Sequence, residues 1–185
     1  MSLTELLQNV ADAEPATVLV APHPFLRRKA RPVEEADLPT IREALPSLFA
    51  ALYKAPGIGL AAPQAGIGLR YLIMDLARPD EGEAPAPHLF INPVILESSE
   101  ELAPYHEGCL SLPNQFADVM RPARVRVRYQ DLEGAFVEVE ADGLLATCLQ
   151  HEIDHLDGVL FVDHLSTLKR NMVMRRLEKE QKRRR

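Results

Sequence analysis

The stretch Gln150 to Gly158, QHEIDHLDG, constrains this 185-residue chain more than any other, because it sets two histidines four residues apart with a glutamate directly after the first. On a helix, side chains four apart stand on one face a turn apart, so His151 and His155 can present imidazole nitrogens to a single ion. Glu152 then projects beside that ion, where a carboxylate suits a general base that takes a proton from water and returns it to a leaving group. The H-E-x-x-H pattern is that of zinc hydrolases. Two exposed histidines on an ordinary helix would give the same local pattern, so the rest of the chain decides between them.

At 185 residues the chain fits one domain, 1–185, with a core large enough to need no disulfide staples. No run approaches the roughly 20 apolar residues of a membrane-spanning helix. The opening MSLTELLQNVADAEPA lacks the layout of a secretory signal, and Glu5, Asp12 and Glu14 argue against a mitochondrial transit peptide. A cytoplasmic protein without membrane association is the expectation. Cys109 and Cys148 are too few for a disulfide framework and fit a reducing compartment in which a thiolate can serve as ligand. The net charge of −6 conceals an asymmetry. From Ser166 onward nine Lys or Arg stand against two acids, +7, while residues 1–165 have twelve against twenty-five, −13. A solvated helix end accounts for such a basic segment, 166–185, slightly better than a docking site does; if it docks, nucleic acid or an assembly rich in it is the natural partner.

Along the chain, residues 1–15 read as a polar, mobile lead-in, and Pro22, Pro24 and Pro32 favour an extended path after it. Asp37 is placed to cap a helix from Leu38, with Ile41, Leu45, Leu48, Phe49 and Leu52 at helical spacing. Pro46 predicts a kink there or a helix in two pieces, and the element should end by Pro56. GIGLAAPQ, Gly57 to Gln64, follows a helix rather than a strand and holds Pro63, which excludes a dinucleotide fingerprint. Its glycines mark backbone that approaches a ligand or another strand closely, and Gln64 supplies an amide donor. Strands are predicted over Tyr71–Asp75 and Leu89–Leu96, and an irregular extended segment over Glu107–Ser111. Arg124–Gln130 and Phe136–Glu140 alternate about Gly134 as a hairpin, with its arginines paired to Glu138 and Glu140 rather than reading a nucleic-acid sequence. Asp142 or Gly143 starts the motif helix and Gly158 closes it. A last helix, Ser166–Lys182, carries Leu165, Leu168, Met172 and Leu177 on one side. The architecture expected is α+β, with short, mostly antiparallel strands around a central HExxH helix and an outer C-terminal helix.

A catalytic site of this type takes three protein ligands and leaves one position open. The metzincin position for a third histidine is Phe161, and the only downstream glutamates, Glu178 and Glu180, lie in the basic segment. Cys148 shares the histidines' face but sits about 10 Å along the axis from His155 at about 1.5 Å per residue, too far for a short thiolate. It packs beside the site. Cys109, arriving from a separate segment, has no such limit and is the third ligand this reasoning selects.

With GIGLAAPQ, EGCLS and QHEIDHLDG present in that order, the sequence resembles the bacterial-type peptide deformylases over most of its length. The resemblance implies a metal-dependent hydrolase that removes the N-formyl group from the initiator methionine of nascent polypeptides and releases formate. It further implies Cys109, His151 and His155 as metal ligands, Glu152 as acid and base, and the Gln64 amide with the Leu110 backbone N–H as oxyanion donors. Matching positions place Ile58, Gly59, Gly108, Leu144 and Cys148 about the methionine pocket. The family works with Fe2+ and accepts Zn2+, Ni2+ or Co2+, and its bacterial members reach the ribosome through a basic C-terminal helix. The residues by themselves also admit a zinc endopeptidase of the HExxH type, or a non-catalytic module with a structural metal.

Overall fold

Tyr71, Leu72, Ile73 and Met74 are each at most 1% exposed, apolar on both faces, as a strand covered from both sides must be. In this computed structural model, which describes residues 2–8, 10–55 and 57–184, they form the second of seven strands. The strands are β1 (Gly59–Ala61), β2 (Tyr71–Met74), β3 (His88–Ser98), β4 (Leu102–Cys109), β5 (Leu112–Pro122), β6 (Arg124–Gln130) and β7 (Phe136–Asp142). The α-helices are α1 (Leu3–Leu6), α2 (Leu38–Lys54), α3 (Gly143–Leu156) and α4 (Thr167–Arg184). Every strand pairing is antiparallel, in a five-stranded sheet of order β1-β2-β3-β6-β7 and a separate ribbon of β4 with β5. The α+β architecture is the expected one.

Side-chain alternation along the strands builds the layers. Tyr71, Ile73, Leu89 and Ile91 turn to one face and pack on Leu45, Leu48 and Leu52 of α2. Leu72, Met74 and Phe90 turn to the other and meet Leu149, Ile153 and Leu156 of α3. A third cluster joins Leu112 and Val119 of β5 to Val173 and Leu177 of α4. The motif helix is thus pressed between the large sheet and the ribbon, which is why its residues are buried nearly all round. Gly158, with φ +76°, ends it in the left-handed conformation that glycine adopts freely, and a Cβ there would lie 2.6 Å from the Arg27 carbonyl oxygen.

Several expectations need correction. Of the two outcomes expected at Pro46, the helix in two pieces is excluded, because α2 runs through Pro46 from Leu38 to Lys54. Proline in a helix costs about 3 kcal/mol, while each buried Leu or Phe side chain contributes about 1.5–3 kcal/mol. Leu45, Leu48, Phe49 and Leu52 are all buried on this helix, so burial wins. The end expected by Pro56 falls on a residue outside those described; α2 stops at Lys54. Gly59–Ala61 is a strand, and the extended segment expected over Glu107–Ser111 is the end of β4, whose pairing slips between Gly108 and Cys109 before a turn at Leu110 and Ser111. The pairing β4 with β5 had no local signal, because Pro104, Gly108 and Pro113 interrupt the alternation. On α4, Val173 and Leu177 face the core, whereas Leu168 is 72% and Met172 46% exposed, since the pocket beneath Leu112 and Val119 sets the helix phase. In the hairpin, Arg126 pairs with Glu97 and Glu138, while Arg128 lies over the Phe136 ring. Within the stretch read as a lead-in, α1 forms with a Ser2 cap and Leu7 is buried in the core. Among the described residues, no helix is long and apolar enough to cross a membrane.

Candidate active site

On α3, Cys148, His151, Glu152 and His155 follow one another at helical spacing along a single stripe, beside the face of Leu149, Ile153 and Leu156 that meets the sheet. The end of β4 brings Cys109 against that stripe. Its Sγ lies 3.2 Å from His155 Nε2, which lies 3.2 Å from His151 Nε2. Metal bonds of about 2.0–2.3 Å at tetrahedral angles separate donor atoms by about 3.3–3.6 Å, so the three atoms are spaced to share one ion. Cysteine and two imidazoles form a soft N2S set suited to Zn2+ or Fe2+. Two buried atoms among these side chains, Glu152 Oε2 and His155 Nδ1, lack a hydrogen-bond partner within the protein.

The ligand-bearing face is held from behind by charge. Two residues before Cys109, Glu107 places Oε2 2.8 Å from His151 Nδ1. Nδ1–H therefore donates to the carboxylate, and Nε2 keeps its lone pair for the ion. Arg121 on β5 donates to both Glu107 oxygens and, through Nη1 at 2.8 Å, to Asp154. His164 closes the chain at 2.7 Å from Asp154. Burial by itself would raise the Glu107 carboxyl, but hydrogen bonds from His151 and Arg121 outweigh it and hold the group at about 2. Burial pushes Glu152 up to about 7, where it can both accept and return a proton near neutral pH. His155 is driven well below the ordinary imidazole range chiefly by burial, so its ring is neutral.

Gln64 is fixed at both ends of its amide. Its Oε1 accepts from the Ala61 N–H at 2.8 Å, and its Nε2 donates to Ser111 Oγ at 3.1 Å and approaches Cys109 Sγ at 3.5 Å. Ile58, Gly59, Gln64, Gly108, Cys109 and Leu110 line one side of a cavity of about 660 Å³, and Leu144, Cys148, His151 and Glu152 the other. His155 alone of the sequence-predicted residues lies beneath it, 1% exposed. Gly59 leaves the carboxylate room, since a Cβ there would be 2.6 Å from Glu152 Oε1. β1 pairs only with β2 and β4 only with β5, so among the described strands two edges with unspent hydrogen-bonding groups face this cleft.

Glu107, Arg121 and Ser111 were not singled out by sequence reasoning. Glu107 had a signal: residues two apart on a strand share a face, so a carboxylate two before a ligand cysteine stands next to the same ion. Arg121 had none, because its approach depends on the β4–β5 register.

An HExxH helix with a cysteine from a neighbouring strand, opening on a cleft, defines a metallohydrolase of the single-ion kind. Residues 15–171 match the family model of polypeptide deformylase. The chain is 56% identical over 162 residues to a peptide deformylase of Mesorhizobium japonicum, covering 88% of this chain and 90% of that one. It is similar in structure to a peptide deformylase from Legionella pneumophila, with a TM-score of 0.81, 40% identity and coverage of 93% and 98%. A peptide deformylase from Acinetobacter baumannii described with Met-Ala-Ser bound has a TM-score of 0.75 and 33% identity over 82% of this chain and 98% of its own. This chain belongs to the polypeptide deformylase family.

Proposed function

We propose that the cleft holds an N-formylmethionyl peptide with its formyl group at Cys109, His151 and His155, and that Glu152 carries the protons of its hydrolysis. The convergence of the Cys109 sulfur with two imidazoles, 3.2 Å apart in each step, is the observation that carries this reading. When bound, the ion supplies a Lewis acid that polarises the carbonyl and makes water acidic enough to attack near neutral pH. Glu152 takes the proton as water adds to the formyl carbon, then delivers it to the departing amine as the C–N bond breaks, leaving formate and a free amino terminus. The Gln64 amide and the Leu110 N–H donate to the oxygen on which negative charge develops. Ile58, Gly59, Gly108, Leu144 and Cys148 enclose the methionine side chain, and the free edges of β1 and β4 pair with the peptide backbone as an added strand supports its register.

Ferrous iron is the working metal in this reading, with Zn2+, Ni2+ or Co2+ as substitutes. The N2S set alone favours zinc, and the family resemblance favours iron. The chain acts as one cytoplasmic domain, and the basic α4 docks it on the ribosome. The decisive experiment is formate release from formyl-methionyl peptides by the parent and by Glu152→Gln, with bound metal measured in both. Loss of turnover by a factor of about 100 or more with metal retained supports the assignment. Turnover kept by the variant, or cleavage of an internal bond in a peptide lacking a formyl group, overturns it.

A further inference from the structure

The rim of the cleft bears an aromatic pair that the hydrolysis itself does not use. Phe116 on β5 is 58% exposed and stacks on His106 of β4, with ring centroids 5.7 Å apart and planes at 11°. His106 Nδ1 lies 2.7 Å from Asp118 Oδ1, its partner across the ribbon. The Phe116 ring lies over the backbone of Gly108, directly opposite it, where a Cβ would come within 2.5 Å of Cε1. Both rings line the same cavity as the metal-site residues. An exposed phenylalanine forfeits most of its burial free energy, and here it is held flat against a partner that a carboxylate keeps in plane.

Strand geometry says what would meet this surface, given the peptide placement proposed above. A peptide pairing with the free edge of β4 has its formyl end at Cys109, so it runs toward Leu102, antiparallel to β4. Successive side chains on such a strand point to opposite faces. The methionine side chain points to the face of Glu107 and α3, where Leu144 and Cys148 line the cavity. The next side chain therefore points to the other face of the ribbon, which is the face of His106, Phe116 and Asp118. We infer that the Phe116–His106 stack is a shelf for the second substrate residue, selecting an aromatic or large apolar side chain there, with Asp118 disfavouring an acidic one.

The test is a series of formyl-Met-X-Ala peptides with X = Phe, Leu, Ala and Asp, assayed by formate release with the metal-replete parent, Phe116→Ser, Phe116→Tyr and His106→Ala. In the parent, kcat/KM for X = Phe should exceed that for X = Ala by about three- to tenfold, the worth of one stacked aromatic pair, and X = Asp should be poorest. Phe116→Ser should bring the Phe/Ala ratio close to one, mainly through KM. Phe116→Tyr should retain the ratio and His106→Ala should lower it. A parent ratio near one, or an unchanged ratio in Phe116→Ser, overturns the shelf while leaving the deformylase reading intact. Absence of formate from every peptide overturns that reading instead.

Discussion

Glu107 governs the metal-ligand set from one step behind it. It is 4% exposed, bonded to His151 on one side and Arg121 on the other, so its charge is neutralised by partners that it also positions. Glu107→Gln keeps the shape and removes the charge that fixes the His151 tautomer. Metal affinity is expected to fall about 10- to 100-fold, measured by competition with a chelator, and an unchanged affinity would show that Glu107 only fills space. Asp37 illustrates the same electrostatics on the surface. The Arg31 guanidinium, 2.7 Å away, and the Glu34 amide hold its carboxyl down at about 2. A carboxyl whose pKa is lower folded than unfolded, where it is about 3.9, stabilises the fold above that unfolded value and loses the contribution as the pH falls through the folded one. Asp37→Asn should therefore lower Tm by its full amount above about pH 5 and by progressively less between about pH 4 and 2. A Tm difference independent of pH across that interval would contradict the ion pair's role.

Elements add constraints that single residues do not show. The stop of α3 depends on Gly158, whose backbone is left-handed and whose missing side chain leaves room for the Arg27 carbonyl. Gly158→Ala should cost about 1–3 kcal/mol in denaturant unfolding, and a cost near zero would mean the Arg27 segment yields freely. α4 is attached to the body by Val173 and Leu177, buried against β5, while its cationic side chains Arg175, Arg176 and Lys179 are exposed. Leu177→Ala should destabilise the whole chain by about 2–5 kcal/mol. The same attachment argues against deleting α4 to learn what its charges do.

For the molecule as a whole, charge is separated from chemistry: the acidic body contains the cleft and the basic α4 lies outside it. Docking on ribosomal RNA is best tested by Arg176→Glu with Lys179→Glu, which leaves the buried face of α4 alone. Co-sedimentation with ribosomes should weaken about tenfold at about 0.1 M salt, with formate release from short peptides kept. Equal co-sedimentation would refute docking through this helix. The helical repeat made α2, α3 and α4 legible in the sequence, short apolar runs revealed β2 and β3, and alternation revealed β6 and β7. Prolines and glycines hid β1, β4 and β5, and the phase of α4 was misread because Leu168 and Met172 are as apolar as the residues that are buried. By itself the sequence determined that His151, Glu152 and His155 share one face, since an i to i+4 spacing on a helix is local geometry. Only the tertiary structure decided that Glu107 and Arg121 stand behind His151, that two strand edges flank the cleft, and that Phe116 lies on His106. Each of these depends on the register between segments distant in the chain, and that register is set by the packing of the whole core rather than by any local pattern.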